Sequence, residues 1–254
     1  MRIKFLTLNI WDGGRLLDNI LTFIKEENPD IIVMQEVYDG KDPKLERRFR
    51  TMEILRKEFD FPYFVFSPAL IDDRFSEKVE QGNAILSRFP ILDNNVIFFD
   101  IPYGTFEFET KSNDYRHTPS ILQRADVGLE NNVQLSIFNI HGIWGFDGED
   151  SDRRLEMSKA IVDQIKGKEN VILAGDFNLS PNTKTINNIE KYLNNVFKNE
   201  LTKTFNMKHK VGIGFSTAVV DMVFVSRNMK VINHYCPEVN VSDHMPLVAS
   251  FDIK

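Results

Sequence analysis

Two residues past the middle of the chain, Asp176 and Asn178, break into an otherwise apolar run, VILAGDFNL at residues 171–179. Strand alternation would turn both to one side and Phe177 to the other, provided strand geometry continues past Gly175. A carboxylate and an amide on one rim can handle a water and an anion together. The plainer reading is a strand-end turn in which Asp and Asn bond their own backbone. The pattern recurs along the chain. Glu36 ends the apolar run of DIIVMQEV, Asn9 follows KFLTL, His141 closes an alternating segment, Asp221 stands between Val220 and Met222, and Asp243 with His244 precedes the last apolar stretch. Taken singly, each has an ordinary explanation as a turn, a strand edge or a satisfied buried histidine. Asp221 is the costliest to bury without a partner, and a histidine is the obvious one.

The elements that must position these residues read as follows. Strands are expected at residues 4–11, 30–37, 63–66, 83–91, 95–101, 121–129, 134–140, 171–176, 219–226, 230–236 and 247–253. Residues 130–132 join two of them as a hairpin. A helix should carry Leu17, Ile20, Leu21 and Ile24 on one face, and a second should start at Asp42 and Pro43 with the stripe Leu45, Phe49, Met52, Leu55 and Phe59. Asp152 is a candidate cap for a third, and Pro181 with Asn182 opens a fourth bearing Ile186, Ile189, Leu193 and Phe197. Residues 71–80 read as a charged loop, and residues 103–119 as a long loop that contacts substrate. About ten strands, four helices and several hairpin junctions fit a parallel doubly wound sheet or an eight-fold barrel poorly. Two packed sheets with helices outside fit better.

Composition narrows the chemistry. With 254 residues and 42% hydrophobic content, the chain can bury a substantial core, and no linker or repeat divides it, so one domain over 1–254 is expected. No apolar run approaches the roughly 18 residues of a membrane span, and Asn9 falls inside the only candidate signal segment. A cytoplasmic monomer without stable membrane insertion is the expectation. Cys236 is the single cysteine, which excludes an intrachain disulfide and any multi-cysteine zinc site, so a metal would be held by oxygen. A net charge of −6 disfavours non-specific coating of nucleic acid while leaving room for a local basic groove.

The segments TLNIW, MQEV, GNAILSRFP, NIHG, GDFN, VDMVFVS and SDHMPL occur in that order from end to end. As an ordered set they resemble the endonuclease/exonuclease/phosphatase superfamily, with its DNase I-like and exonuclease III-like branches. The resemblance implies an α/β (α+β) four-layer sandwich of two mixed or antiparallel sheets flanked by helices. It also implies hydrolysis of a phosphodiester by in-line water attack with Mg²⁺ or Mn²⁺. Glu36 matches the main metal ligand, with Asn9 beside it and Asp243 assisting a second or transient ion. Asp176 matches the residue that orients or deprotonates water, Asn178 the amide that steadies the scissile phosphate, and His244 the phosphate-contacting histidine held in its tautomer by Asp221. His141 matches a histidine that stabilises the phosphate or protonates the leaving oxygen. Two departures stand out. Where some branches carry an acid two positions after the asparagine, this chain has Trp11, with Asp12 one later; and Arg154 is followed by Met157 where the pattern often has glutamine. Arg154 and Trp144 complete the expected substrate contacts, although Trp144 and Phe146 would serve equally to pack their own loop down. DNA or RNA is the expected substrate. A phospholipid, sphingomyelin-type or phosphoinositide head group is the alternative, and a non-catalytic binding module on the same fold is the reading from a different class.

Overall fold

The computed structural model describes residues 1–108, 114–210 and 218–253. Its first half runs β1 (Arg2–Asn9), α1 (Leu17–Glu27), β2 (Ile31–Tyr38), α2 (Thr51–Glu58), β3 (Tyr63–Asp72), β4 (Val79–Ser87), β5 (Ile91–Phe98) and β6 (Gly104–Phe106). The second half runs β7 (Ile121–Gly128), β8 (Gln134–His141), α3 (Asp152–Ile165), β9 (Val171–Asp176), α4 (Lys184–Glu190) and β10 (Leu193–Asn195). It ends with β11 (Asp221–Ser226), β12 (Lys230–Tyr235) and β13 (Leu247–Asp252). Seven strands form one sheet in the order β12-β13-β1-β2-β4-β3-β6, and six form the other in the order β10-β11-β9-β8-β7-β5. Pairs β1/β2, β3/β6 and β8/β9 are parallel and the remaining pairs antiparallel, so both sheets are mixed.

Alternation explains the four layers. On β1, Ile3 and Phe5 face the second sheet, where they meet Ala125, Ile137, Ile172 and Val223, while Leu6 and Leu8 face outward to Ile20, Leu21 and Ile24 of α1 and Leu55 of α2. On the other side, Phe138, Ile140 and Leu173 pack outward on Met157 and Ile161 of α3 and Ile186 of α4. Each central strand is therefore apolar on both faces, as a sheet covered on both sides requires.

Towards one end of the strands the space between the sheets changes character. The apolar layer gives way to buried amides. Gln35 Nε2 donates to Asn139 Oδ1 at 2.6 Å, and Asn139 Nδ2 donates to Gln123 Oε1 and to the Met34 and Ala84 carbonyls at 2.9–3.1 Å. Asn83 Nδ2 reaches the Asn139 carbonyl at 3.1 Å. Beyond this amide layer come Asn9, Glu36, His141, Asp176 and Asp221.

Several expectations require correction. Residues 42–59 do not form one helix: Asp42 instead caps a turn by accepting from the Lys44 N–H at 2.8 Å, a 3₁₀ turn spans Arg47–Arg50, and α2 begins only at Thr51. Strand β3 continues through Pro68 to Asp72 by a register shift between Pro68 and Leu70, so the loop expected at 71–80 shrinks to the turn before Val79. Ser151 rather than Asp152 caps α3. The fourth helix is capped by Thr183 and stops before Leu193, which starts β10. Residues 109–113 of the long loop lie outside the described residues; its flanks hold β6 and a 3₁₀ turn at Tyr115–His117.

Candidate active site

Register, not sequence distance, assembles the site. Strand β9 lies between β8 and β11, and its Asp176 is the partner of His141 on one side and of Asp221 on the other. Three candidate side chains thus share one row of the sheet. The preceding glycine makes this approach possible. Gly175 has φ +138°, and a Cβ there would sit 2.1 Å from the Ile140 carbonyl oxygen and 2.9 Å from Gln35 Nε2.

Strand geometry does not continue to Asn178, whose φ is +53°. Its N–H donates to Asp176 Oδ1 at 2.8 Å, the self-bonded turn that Asp and Asn favour. Even so, both side chains line the same cleft, so the self-bonded turn and the shared rim are one feature. Asn178 Nδ2 donates to the Gly142 carbonyl at 3.1 Å, and its own carbonyl accepts from Arg154 Nη2 at 2.8 Å. Arg154 is buried and spends its guanidinium on the Ile143, Glu149 and Asn178 carbonyls and on Asp147. It does not line the cleft, because carbonyls take its donors; it fastens the loop carrying Asn178.

Glu36 is not at a strand terminus. Its φ of +61° and the register break between Met34 and Val37 mark a β-bulge within β2. A left-handed non-glycine residue costs about 1–3 kcal/mol and persists only where its surroundings fix it. Here Gly13 N–H donates to the Glu36 carbonyl at 2.9 Å and Asp12 N–H to Glu36 Oε2 at 2.5 Å. The bulge re-aims the carboxylate into the cleft. Asn9 Nδ2 bridges Glu36 Oε1 at 3.0 Å and Asp176 Oδ2 at 3.1 Å, and Asn9 Oδ1 accepts from the Trp11 N–H at 3.1 Å. The carboxylate of Asp12 also borders the cleft but is taken up by Arg15, Arg48, Arg74 and Tyr38.

His244 Nδ1 lies 2.9 Å from Asp221 Oδ2, and both residues are buried. With Nδ1 so occupied, Nε2 faces Asp176 Oδ2 at 3.8 Å, and His141 Nε2 approaches the same oxygen at 3.9 Å. Burial alone would pull the His244 imidazole down; the charges of Asp221, Asp176 and Asp243 outweigh it and push it up to about 10. Burial raises Asp221 in turn, against the attraction of His244. Asp243 is buried beside His244, with Oδ2 at 2.9 Å from Lys210 Nζ.

Glu36, His141, Asp176, Asn178, Asp243 and His244 open on a cavity of about 370 Å³. Trp144 forms part of its wall and packs edge-on against Tyr115 and Phe146, at 5.6 and 4.9 Å between ring centroids. Lys210, Arg74 and Tyr115 also line it and were not singled out from sequence. No spacing rule joins them to the strand ends, since they arrive on loops. Asp176, Asp221 and His244 offer ligand atoms within 4.8 Å of one another, a set that could hold a metal ion. Among the described residues no helix is long and apolar enough to cross a membrane.

The chain is 26% identical to "Uncharacterized protein L388" of Acanthamoeba polyphaga mimivirus over 280 aligned positions, covering 98% of this chain and 95% of that protein. Its fold is shared with an endonuclease/exonuclease/phosphatase structure from Bacteroides vulgatus, at TM-score 0.73 and 19% identity, with both chains covered in full. A 3′ phosphatase, NExo, from Neisseria, bound to product DNA hairpin, superposes at TM-score 0.64 and 16% identity over 99% of this chain and all of that one. The family model of the Endonuclease/Exonuclease/phosphatase family matches residues 6–244, and the chain belongs to that family of phosphoesterase folds.

Proposed function

We propose that the chain is a divalent-metal-dependent phosphodiesterase that cleaves nucleic acid by in-line attack of water. The observation that carries this reading is the row His141, Asp176 and Asp221 across three strands, closed by His244 opposite. Asp176 accepts a proton from water as its oxygen bonds to phosphorus. Asn178 and the His244 imidazolium hold the phosphate oxygens as charge builds on them. The bond to the leaving oxygen breaks on the far side, and His141 returns a proton to that oxygen. Asp221 keeps Nδ1 of His244 protonated and Nε2 aimed at the site.

The donor set suits a hard cation, because Glu36, Asp176 and the Asn9 amide offer oxygen. Among the described residues the donors to the Glu36 carboxylate are neutral, which leaves its charge for an ion; Asn9 joins as a ligand if its amide turns over, so that Oδ1 replaces the N–H₂ now facing Glu36. Bound there, Mg²⁺ or Mn²⁺ would supply Lewis-acid stabilisation of the phosphate charge. Arg15, Arg74 and Lys210 beside the rings of Trp11, Tyr115 and Trp144 favour a substrate with phosphates and bases. The DNA bound to the Neisseria protein points the same way.

The test is a panel of single- and double-stranded DNA, RNA, sphingomyelin and phosphoinositides with Mg²⁺ or Mn²⁺, alongside bis(p-nitrophenyl) phosphate. Cleavage of nucleic acid is expected, abolished by EDTA, and Asp176→Asn and His244→Ala should each lower the rate roughly 10²–10⁴-fold. Activity on lipid alone would overturn the substrate, and full turnover in either variant would overturn the mechanism.

A further inference from the structure

Four carboxylates line the cleft: Asp12, Glu36, Asp176 and Asp243. They differ in what neutralises them. Asp12 is paired with Arg15, Arg48 and Arg74. Asp243 is paired with Lys210. Among the described residues, Glu36 and Asp176 have no Lys or Arg partner; Glu36 meets an amide and a backbone N–H, and Asp176 an amide, a backbone N–H and two imidazoles at 3.8 and 3.9 Å. With the His244 imidazolium paired directly with Asp221 and the Lys210 ammonium with Asp243, Glu36 and Asp176 are, among the described residues, the cleft carboxylates without a cation of their own at hydrogen-bond distance, and together they match the charge of one divalent ion. A second ion at Asp243 would have to displace a resident ammonium.

Lys210 is not a surface lysine that strays into the cleft. The turn that carries it is tied to the turn that carries Asp243 and His244. Asn206 N–H donates to the Asp243 carbonyl at 2.8 Å, Asn206 Nδ2 to the Ser242 carbonyl at 2.9 Å, and Lys210 N–H to the Asn206 carbonyl at 3.0 Å. His209 is fixed by Asn240 Oδ1 at 2.7 Å and by the Trp11 ring, 5.0 Å away between centroids. The lysine's Nζ lies 5.0 Å from the centroid of the Phe205 ring, which itself packs on His244. An ammonium has three donors, so one can hold Asp243 while another turns to a phosphate oxygen.

We propose that Lys210 is a built-in cation that takes the place of a second metal ion. The protein binds one divalent ion, on the Glu36 and Asp176 side, and Lys210 meets a non-bridging oxygen of the substrate from the Asp243 side. The proposal rests on the metal-dependent phosphoesterase reading, and ion counting separates the two. Mn²⁺ would be titrated into the whole protein, with free Mn²⁺ followed by electron paramagnetic resonance and heat by calorimetry, for the unsubstituted chain and for Lys210→Met, Lys210→Arg and Glu36→Gln. One ion per chain is expected, lost in Glu36→Gln and kept in Lys210→Arg. Lys210→Met should admit a second, weaker ion, steepen the metal dependence of turnover and lower the rate by about 10²-fold at limiting Mn²⁺. Two ions in the unsubstituted protein, or one ion with an undiminished rate in Lys210→Met, overturns the role of Lys210 and leaves the phosphodiesterase reading intact. No Mn²⁺ binding together with no cleavage of any phosphodiester overturns both.

Discussion

Asp221→Asn isolates the charge of the buried dyad from its shape. The amide keeps an oxygen for Nδ1–H of His244, so the ring stays oriented, but the carboxylate that heads the forces raising the imidazole is gone. An opposite charge at hydrogen-bond distance moves a pKa by roughly 1–3. Starting from about 10, His244 should then titrate between about 7 and 9, since burial now faces only the more distant Asp176 and Asp243. If the imidazolium stabilises the phosphate, the alkaline limb of kcat moves down by the same interval. For a shift of about two, the protonated fraction at pH 9 drops about tenfold. Stability follows with a definite sign. A raised histidine contributes stability fully present below its unfolded value of 6.5 and lost as pH rises through about 10. Urea midpoints of the unsubstituted protein should therefore decline across that window, and the decline should be compressed to lower pH in the variant. The assays are kcat from pH 6 to 10.5, NMR titration of His244 and urea unfolding at pH 6, 8 and 10. Superimposable alkaline limbs and titrations would refute the dyad's electrostatic role.

Gly175→Ala should destabilise the fold and depress turnover together, because the left-handed backbone costs about 1–3 kcal/mol for a residue with a side chain and the new Cβ would overlap the Ile140 carbonyl; urea unfolding at fixed pH measures the first effect, and a near-native midpoint would contradict it. Arg154→Met should cost roughly 2–4 kcal/mol by orphaning the buried Ile143 and Asn178 carbonyls and releasing the part-buried Glu149 carbonyl, with kcat falling through the loosened Asn178 loop while Mn²⁺ binding at Glu36 is retained.

The strand ends at His141 and Asp176 were legible because apolar runs that stop at a polar residue obey a simple rule, Asp221 was legible as a buried acid in need of a histidine, and the two-sheet sandwich followed from hairpin junctions between the strands. Three features escaped for separate physical reasons. The Glu36 bulge requires a left-handed glutamate, which no local propensity signals; only the pairing with β4 makes the extra residue visible. The helix expected over 42–59 failed because an apolar stripe reports a buried face and not hydrogen-bonded turns, and here Phe49 is buried from a 3₁₀ turn. Lys210 reaches Asp243 from a loop 33 positions away in sequence, measured between their residue numbers, and its charge reads as an ordinary solvated lysine.

The amides between the sheets have one more consequence. Dispersion contacts are directionless, so two apolar sheet faces can slide or rotate slightly over one another at little cost. Hydrogen bonds from Asn139 to Gln123 and to the Met34 and Ala84 carbonyls are directional, and of the four strands they join, β7 and β8 belong to one sheet and β2 and β4 to the other. They act as a key in a keyway: at that end the sheets have one allowed alignment, and residual shear is confined to the apolar end. Carboxylates contributed by separate sheets thereby keep a fixed spacing even while the rest of the sandwich breathes.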